Sequence, residues 1–160
     1  MRKVIIFGNS GAGKSTLAKK LSGSEGLHHF DLDTVAWLAT SPPQIKPVAE
    51  SMQAVQEFIT QYDQWVIEGC YADLLELVAP QCNEMIFLNL SIESCIHNAR
   101  NRPWEPHKYP SKSAQDENLE MLLQWIAGYE TRQDTFSKAS HQKLYESYAG
   151  PKEMYVENPK

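Results

Sequence analysis

The 160-residue chain is 42% apolar and 22% charged, with a net charge of −5 at pH 7 and a pI near 5.5. That length predicts one domain with a sizeable core, and the acid balance argues against a general nucleic-acid footprint. No apolar run approaches the roughly 20 residues of a membrane span, Met1-Arg2-Lys3 leads into a strand without a signal-peptide cleavage pattern, and Cys70, Cys82 and Cys95 stand singly without a CxxC, which suits a reduced cytoplasmic setting.

Val4-Ile5-Ile6-Phe7 is a continuous apolar run and reads as a buried strand. It leads into Gly8-Asn9-Ser10-Gly11-Ala12-Gly13-Lys14-Ser15 and then Thr16, the G-x-x-x-x-G-K-[ST] spacing of a Walker A phosphate-binding loop. Gly8, Gly11 and Gly13 allow positive φ and a close backbone approach. The turned backbone aims N–H groups inward as an anion nest. The helix expected from Lys14, with Leu17 and Leu21 on one face, adds its positive N-terminal end. Lys14 is a compact cation for the β- and γ-phosphates, and the Ser15 hydroxyl is a ligand for Mg²⁺.

The second strand is expected over His29–Asp33, with Asp31 and Asp33 on the same side of an extended chain. Thr34 to Trp37 form a short element, and Ser41–Pro47 read as loop. Val48, Met52, Val55, Ile59 and Tyr62 mark the core face of a helix from Val48 to Tyr62. Trp65-Val66-Ile67 is the third strand, ending in Glu68-Gly69-Cys70-Tyr71. A helix over Ala72–Ala79 stops at Pro80. Glu84–Leu90 is the fourth strand, and Ser91 caps a helix to Arg102. Pro103, Pro106 and Pro110 exclude regular structure across a lid of about residues 101–113. A Ser113/Asp116 capping box starts a helix to Thr131 that presents Leu119, Leu122, Leu123 and Ile126. A short helix is expected over Asp134–Ala139 and a fifth strand over Lys143–Ser147, ended by Gly150-Pro151. The remaining tail carries no pattern.

Strands alternating with helices predict an α/β fold: a three-layer sandwich with a parallel five-stranded sheet flanked by helices. Ligands in such folds bind beyond the carboxyl ends of the strands. That rule gathers the phosphate loop, Asp31, Asp33 and Glu68–Tyr71 at one edge. Glu68 is the nearest equivalent of a Walker B acid for Mg²⁺, with Asp31 or Asp33 as the competing choice. Alternatively one of that pair accepts the proton of an attacking hydroxyl. Asp31, Asp33, Trp37, Gly69 and Tyr71 form the candidate acceptor side, the two aromatics as stacking surfaces or as core. Between Lys20 and Arg100 the single basic Lys or Arg is Lys46, against eleven Asp and Glu. Arg100, Arg102, Lys108 and Lys112 then cluster around the proline-rich stretch, and Arg132 follows the long helix. Such a basic flap, closed over phosphates, excludes water and supplies transition-state charge. The five histidines show no metal-ligand spacing and read as surface or packing groups.

The order GNSGAGKS, DLD-x-x-x-W, WVIEGCY, NARNR and YETR resembles the adenylate kinase-like group of P-loop kinases, and within it small bacterial proteins of the adenylate kinase-related, DNA topology modulation FlaR-like type. Shikimate kinase and gluconate kinase are more distantly similar. The resemblance spans about Lys3 to Arg132. It implies that Gly8–Thr16 bind ATP and that Glu68-Gly69 stands where nucleoside monophosphate kinases carry an Asp-Gly in the Mg²⁺ shell. It further implies that Arg100 and Arg102 open the lid and that Arg132 contacts the transferred phosphoryl group.

The departure from that group is chemical. Its relatives hold an anionic acceptor with mid-chain arginines, whereas this sequence has no arginine from Val4 to Ala99. The acceptor is therefore expected to be neutral or cationic, such as a nucleoside, a sugar or an amine-bearing alcohol, unless Lys46 or the flap substitutes. The expected activity is transfer of the ATP γ-phosphoryl group, with Mg²⁺, to a hydroxyl of such an acceptor. The competing reading is an ATP-binding regulatory switch with slow hydrolysis, and direct nucleic-acid binding is disfavoured by charge. Acceptor identity, base preference and oligomeric state have no signature in the sequence.

Overall fold

The computed structural model of the protein describes residues 1–40 and 43–159. In chain order the elements are β1 (Lys3–Gly8), α1 (Lys14–Glu25), β2 (His28–Asp31), β3 (Trp37–Leu38), β4 (Gln44–Ile45), α2 (Val48–Gln61), β5 (Trp65–Gly69), α3 (Ala72–Val78), β6 (Glu84–Leu88), α4 (Ile92–Arg100), α5 (Lys112–Ala127), α6 (Lys138–Ser147) and β7 (Lys152–Tyr155). Five strands form one parallel sheet in the order β2-β5-β1-β6-β7. β3 and β4 form a separate antiparallel pair.

The apolar strands are buried on both faces, as parallel strands between helices must be. Side chains alternate across the sheet with period two. Ile5, Phe7, Trp65, Ile67, Met85 and Phe87 pack with Val55 of α2, Leu74, Leu75 and Val78 of α3 and Leu144 of α6. Val4, Ile6, Val66, Ile86 and Leu88 pack with Ala18 of α1, Cys95 and Ala99 of α4, and Leu123 and Ile126 of α5. The three-layer α/β sandwich follows. Because β1, β5 and β2 run parallel, the residues that follow each of them emerge at one edge.

Several boundaries differ from expectation, each for a local reason. β2 ends at Asp31 because the Asp31 carboxylate accepts from the Asp33 backbone N–H at 2.9 Å and starts a 3₁₀ turn over Leu32–Thr34. Asp33 thus leaves the strand, and the two carboxylates are not related by extended-chain alternation. Within the expected loop, Gln44–Ile45 pair with Trp37–Leu38; Ser41 and Pro42 lie outside the described residues. The cap of α5 is Ser111, whose hydroxyl accepts from the Ala114 N–H at 3.1 Å, so Ser113 sits inside the helix and no Ser113 capping box forms. That helix stops at Ala127, short of Thr131.

The expected fifth strand over Lys143–Ser147 is instead the second half of α6. Ser137 caps that helix by accepting from the Ser140 N–H at 3.0 Å, and His141 and Leu144 share its buried face. The expected short helix over Asp134–Ala139 is largely the turn that leads into this cap. The fifth strand is β7, beyond Gly150-Pro151. It pairs with β6 alone and is largely exposed, so it carries no apolar run.

Candidate active site

The loop from Gly8 to Ser15 joins β1 to α1. Gly11 and Gly13 have φ of +80° and +88°, a region where side chains are strained. A Cβ on Gly11 would lie 2.4 Å from the Cys95 carbonyl oxygen. Gly13 is itself the N-cap of α1, and no side chain caps that end. The first-turn N–H groups of α1 therefore keep their anion-binding capacity, reinforced by the helix dipole. The Lys14 ammonium reaches across the loop and donates to the Asn9 carbonyl at 2.8 Å. Asn9 is buried, and its side-chain amide donates to the Ile126 carbonyl at 3.2 Å, which ties the loop to α5. Gly8 and Ala12 lie beneath the loop surface, while Ser10, Gly11, Gly13, Lys14, Ser15 and Thr16 line the cavity above it.

Beside the loop, the Ser15 hydroxyl donates to Glu68 Oε2 at 2.7 Å. Glu68 is only 2% exposed. Its register on β5 sets it level with Ile6 of β1 and Asp31 of β2. His29 Nε2 lies 2.9 Å from the same carboxylate oxygen. A hydroxyl and a carboxylate are hard oxygen donors, so this pair fits Mg²⁺ in chemical type.

Asp33, in the turn after β2, lies at the same sheet edge. Tyr71 donates its hydroxyl to Asp33 Oδ1 and accepts from Trp37 Nε1 at 2.8 Å. Lys108 donates to Asp33 Oδ2 at 2.9 Å. Burial raises the Asp33 carboxyl, but Lys108, the Tyr71 hydrogen bond and Lys14 together hold it below the ordinary carboxylate range. Asp31 moves the other way: burial and the neighbouring charges of Glu68 and Asp33 push it up, against Lys108. Burial pulls the Lys108 ammonium down, and the charges of Asp33, Asp31 and Glu105 more than reverse this.

A cavity of about 570 Å³ connects these groups. Lys14, Ser15, Glu68, Gly69 and Asp33 border it from the sheet edge, and Arg102, Glu105, Lys108 and Tyr109 border it from the segment between α4 and α5. Arg102 is held by Glu105, Nε to Oε1 at 3.1 Å. The remaining expected residues lie elsewhere. Arg100 is exposed on α4 and does not line the cavity. Arg132 lies with its guanidinium 3.5 Å over the Trp125 ring and donates to the Trp125 carbonyl at 2.7 Å, also away from the cavity. Asp31, Trp37 and Tyr71 stand behind Asp33 instead of lining the space. Lys108 stands in the sequence reading as a member of the basic flap around the proline-rich stretch, whereas His29, Asn98 and Asn158 carry no site expectation there. These three become informative only when the sheet brings distant residues together.

No protein-family model matches the chain, and no curated protein matches it either. Solved structures do match its fold. An unliganded sugar kinase from a Janibacter species superposes with a TM-score of 0.53 at 12% identity, over 98% of this chain and 85% of that one. Deoxyadenosine kinase from M. mycoides, solved with bound dATP, superposes with a TM-score of 0.50 at 13% identity, over 96% of this chain and 90% of that one. Shikimate kinase from Bacteroides thetaiotaomicron gives 0.47 at 18% identity, over 91% and 97%. The chain thus shares the α/β fold of the sugar kinase and the deoxyadenosine kinase structures.

Proposed function

We propose that the chain is a small-molecule kinase that transfers the γ-phosphoryl group of ATP to a hydroxyl of a small polar acceptor. One observation supports this reading: Lys14, Ser15, Glu68 and Asp33 border a single cavity, which brings a glycine-rich anion nest and a carboxylate held below its ordinary range to one space. The motifs GNSGAGKS, WVIEGCY and NARNR support placement in the adenylate kinase-like group.

In this scheme the triphosphate of ATP binds the backbone N–H groups of Gly8–Thr16, and Lys14 leaves the Asn9 carbonyl to reach the β- and γ-phosphates. Among the described residues no group of three or more His, Cys, Asp or Glu is arranged to hold a metal, so Mg²⁺ would take Ser15, Glu68 and phosphate oxygens. When bound, that ion neutralises charge developing between the β- and γ-phosphates. The acceptor hydroxyl attacks Pγ, the bond from Pγ to the bridging β-oxygen breaks, and ADP departs. Asp33 takes the hydroxyl proton. Its carboxylate is ionised while paired with Lys108 and becomes more basic when Lys108 moves off. Arg102, with Arg100 and Arg132 if the lid and α5 rearrange, supplies further positive charge.

Asp33 and Glu105 border the cavity with Asp31 behind them, and no arginine from Val4 to Ala99 is available to hold an anion there, which supports a neutral or cationic acceptor. Incubation with ATP, Mg²⁺ and panels of sugars, nucleosides and amino alcohols tests the proposal by mass spectrometry. A phosphorylated acceptor formed in step with ADP is the expected result. Release of inorganic phosphate alone across the panels would favour an ATP-binding regulatory module instead.

A further inference from the structure

The segment that follows β7 closes on the phosphate loop. β7 is held level with β6 through the Leu88–Tyr155 register, and the Asn89 N–H donates to the Tyr155 carbonyl at 2.8 Å. β6 in turn sets Leu88 beside Gly8. The chain leaving Tyr155 is thereby delivered to the loop. Asn158 Nδ2 donates to the Ala12 carbonyl at 2.8 Å. Asn98 Nδ2, from α4, donates to the Gly11 carbonyl at 2.8 Å and to Asn158 Oδ1 at 2.9 Å. Two successive loop carbonyls are thus each held by an amide, and the two amides are bonded to each other.

The arrangement has a physical purpose for an anion nest. When the N–H groups of a loop turn inward, its C=O groups turn outward and need donors of their own. Water satisfies such carbonyls without fixing their direction, whereas a side-chain amide anchored on a helix fixes it. Gly13 completes the fit: a Cβ there would lie 2.6 Å from Asn158 Nδ2, so a side chain at this position would push the Asn158 amide aside.

We infer that Asn98 and Asn158 form a clasp that holds the Gly11 and Ala12 peptides in the phosphate-binding orientation, which makes the segment after β7 a working part of the phosphate loop. This rests on the reading of that loop as a polyphosphate site. The two asparagines are positioning residues. Their effect passes through the loop, so it falls on any ligand with a polyphosphate chain, whether or not a nucleoside is attached.

Calorimetric titration of the full chain with Mg·ATP and, separately, with inorganic tripolyphosphate tests this, using Asn158→Leu, Asn98→Leu and the double variant. Asn158→Ala is the second choice at the exposed position, and thermal midpoints establish that each variant is folded. The clasp predicts that each single variant weakens both ligands alike by about threefold to tenfold, the range equivalent to one hydrogen bond. The double variant is expected to be no weaker than the more affected single, because the amides act as one unit. Variants that bind tripolyphosphate as tightly as the wild type overturn the inference. A loss confined to ATP also overturns it, since that is a nucleoside contact. Wild-type protein that binds neither ligand overturns the inference together with the phosphate-site reading beneath it.

Discussion

Lys108, between α4 and α5, donates to Asp33 Oδ2 at 2.9 Å, joining residues 75 apart in sequence at the border of the cavity. The same ammonium lies 3.6 Å from Asp31 Oδ2 and 3.5 Å from Glu105 Oε2. One cation therefore faces three carboxylates, from the end of β2, from the turn after it and from the segment between α4 and α5. Lys108→Met removes it and leaves the acids to repel one another. The Asp33 carboxyl is expected to rise out of its depressed range, and Asp31 to rise further. Carboxyl-carbon NMR titration reads this directly, and an unmoved Asp33 contradicts it. The unfolding free energy is expected to fall by about 1–3 kcal/mol, the usual consequence of removing one partner of a partly buried charged pair.

Glu68 is the buried acid that the Ser15 hydroxyl touches. Glu68→Gln keeps the shape and removes the charge. The wild type is expected to bind ATP more tightly with Mg²⁺ than with EDTA. In the variant that Mg²⁺ dependence is expected to shrink by about tenfold, equivalent to about 1.4 kcal/mol. Binding of ATP measured with and without the metal decides it. An undiminished Mg²⁺ effect would move the metal role to Asp31 or Asp33.

Gly11→Ala combines a positive φ with a Cβ 2.4 Å from the Cys95 carbonyl oxygen on the α4 backbone. The strain of the left-handed region alone is about 1 kcal/mol or more. Relief of the clash requires the loop to move away from α4, which also disturbs the nest. Urea unfolding is expected to show a loss of about 2 kcal/mol or more. A stability equal to that of the wild type would contradict the loop geometry.

His141 is fully buried against Phe7 and Phe87. Its Nε2–H donates to the Cys70 carbonyl at 2.8 Å, so Nδ1 is the acceptor for the Tyr129 hydroxyl at 2.7 Å. Burial, with Lys14 adding to it, brings the imidazole down to about 4, against the Cys70 hydrogen bond and Asp134. A folded value below the unfolded one means that the unfolded chain binds the extra proton. Stability is then full above about pH 6.5 and falls as pH drops toward 4. From pH 7.5 to pH 5 the expected loss is about 2 kcal/mol. His141→Gln is expected to be less stable at pH 7.5 but to lose less over that interval. Equal slopes in the two proteins would contradict the assignment.

How much of this was legible in the sequence depends on the range of the interactions involved. The glycine-rich turn between β1 and α1, β1 itself and the alternation of strands and helices are local patterns, and the parallel sheet follows from them. β7 escaped because an edge strand with one partner needs no apolar run. Lys143–Ser147 misled because Leu144 and Tyr145 read as strand, while the decisive cap, Ser137, lies six residues before Lys143. At the site, Ser15 and Glu68 meet as expected from their places after β1 and on β5. Trp37 and Tyr71 are expected as stacking surfaces or as core; the Tyr71 ring lies in the core, and the polar atoms of both side chains form a chain of hydrogen bonds to Asp33. The partners of the loop carbonyls, Asn98 and Asn158, lie 87 and 146 residues from Gly11 and Ala12, and two asparagines have no pattern that reveals such a pairing.

The central claim is that the amides between β1 and α1, together with Lys14, hold a nucleotide polyphosphate. Calorimetric titration of Mg·ATP into the wild type and into Lys14→Ala tests it most directly. The account predicts saturable heat at a single site in the wild type, and an affinity at least about tenfold weaker in the folded variant, equivalent to about 1.4 kcal/mol or more. Absence of heat in the wild type, or equal affinity in the two proteins, would contradict it.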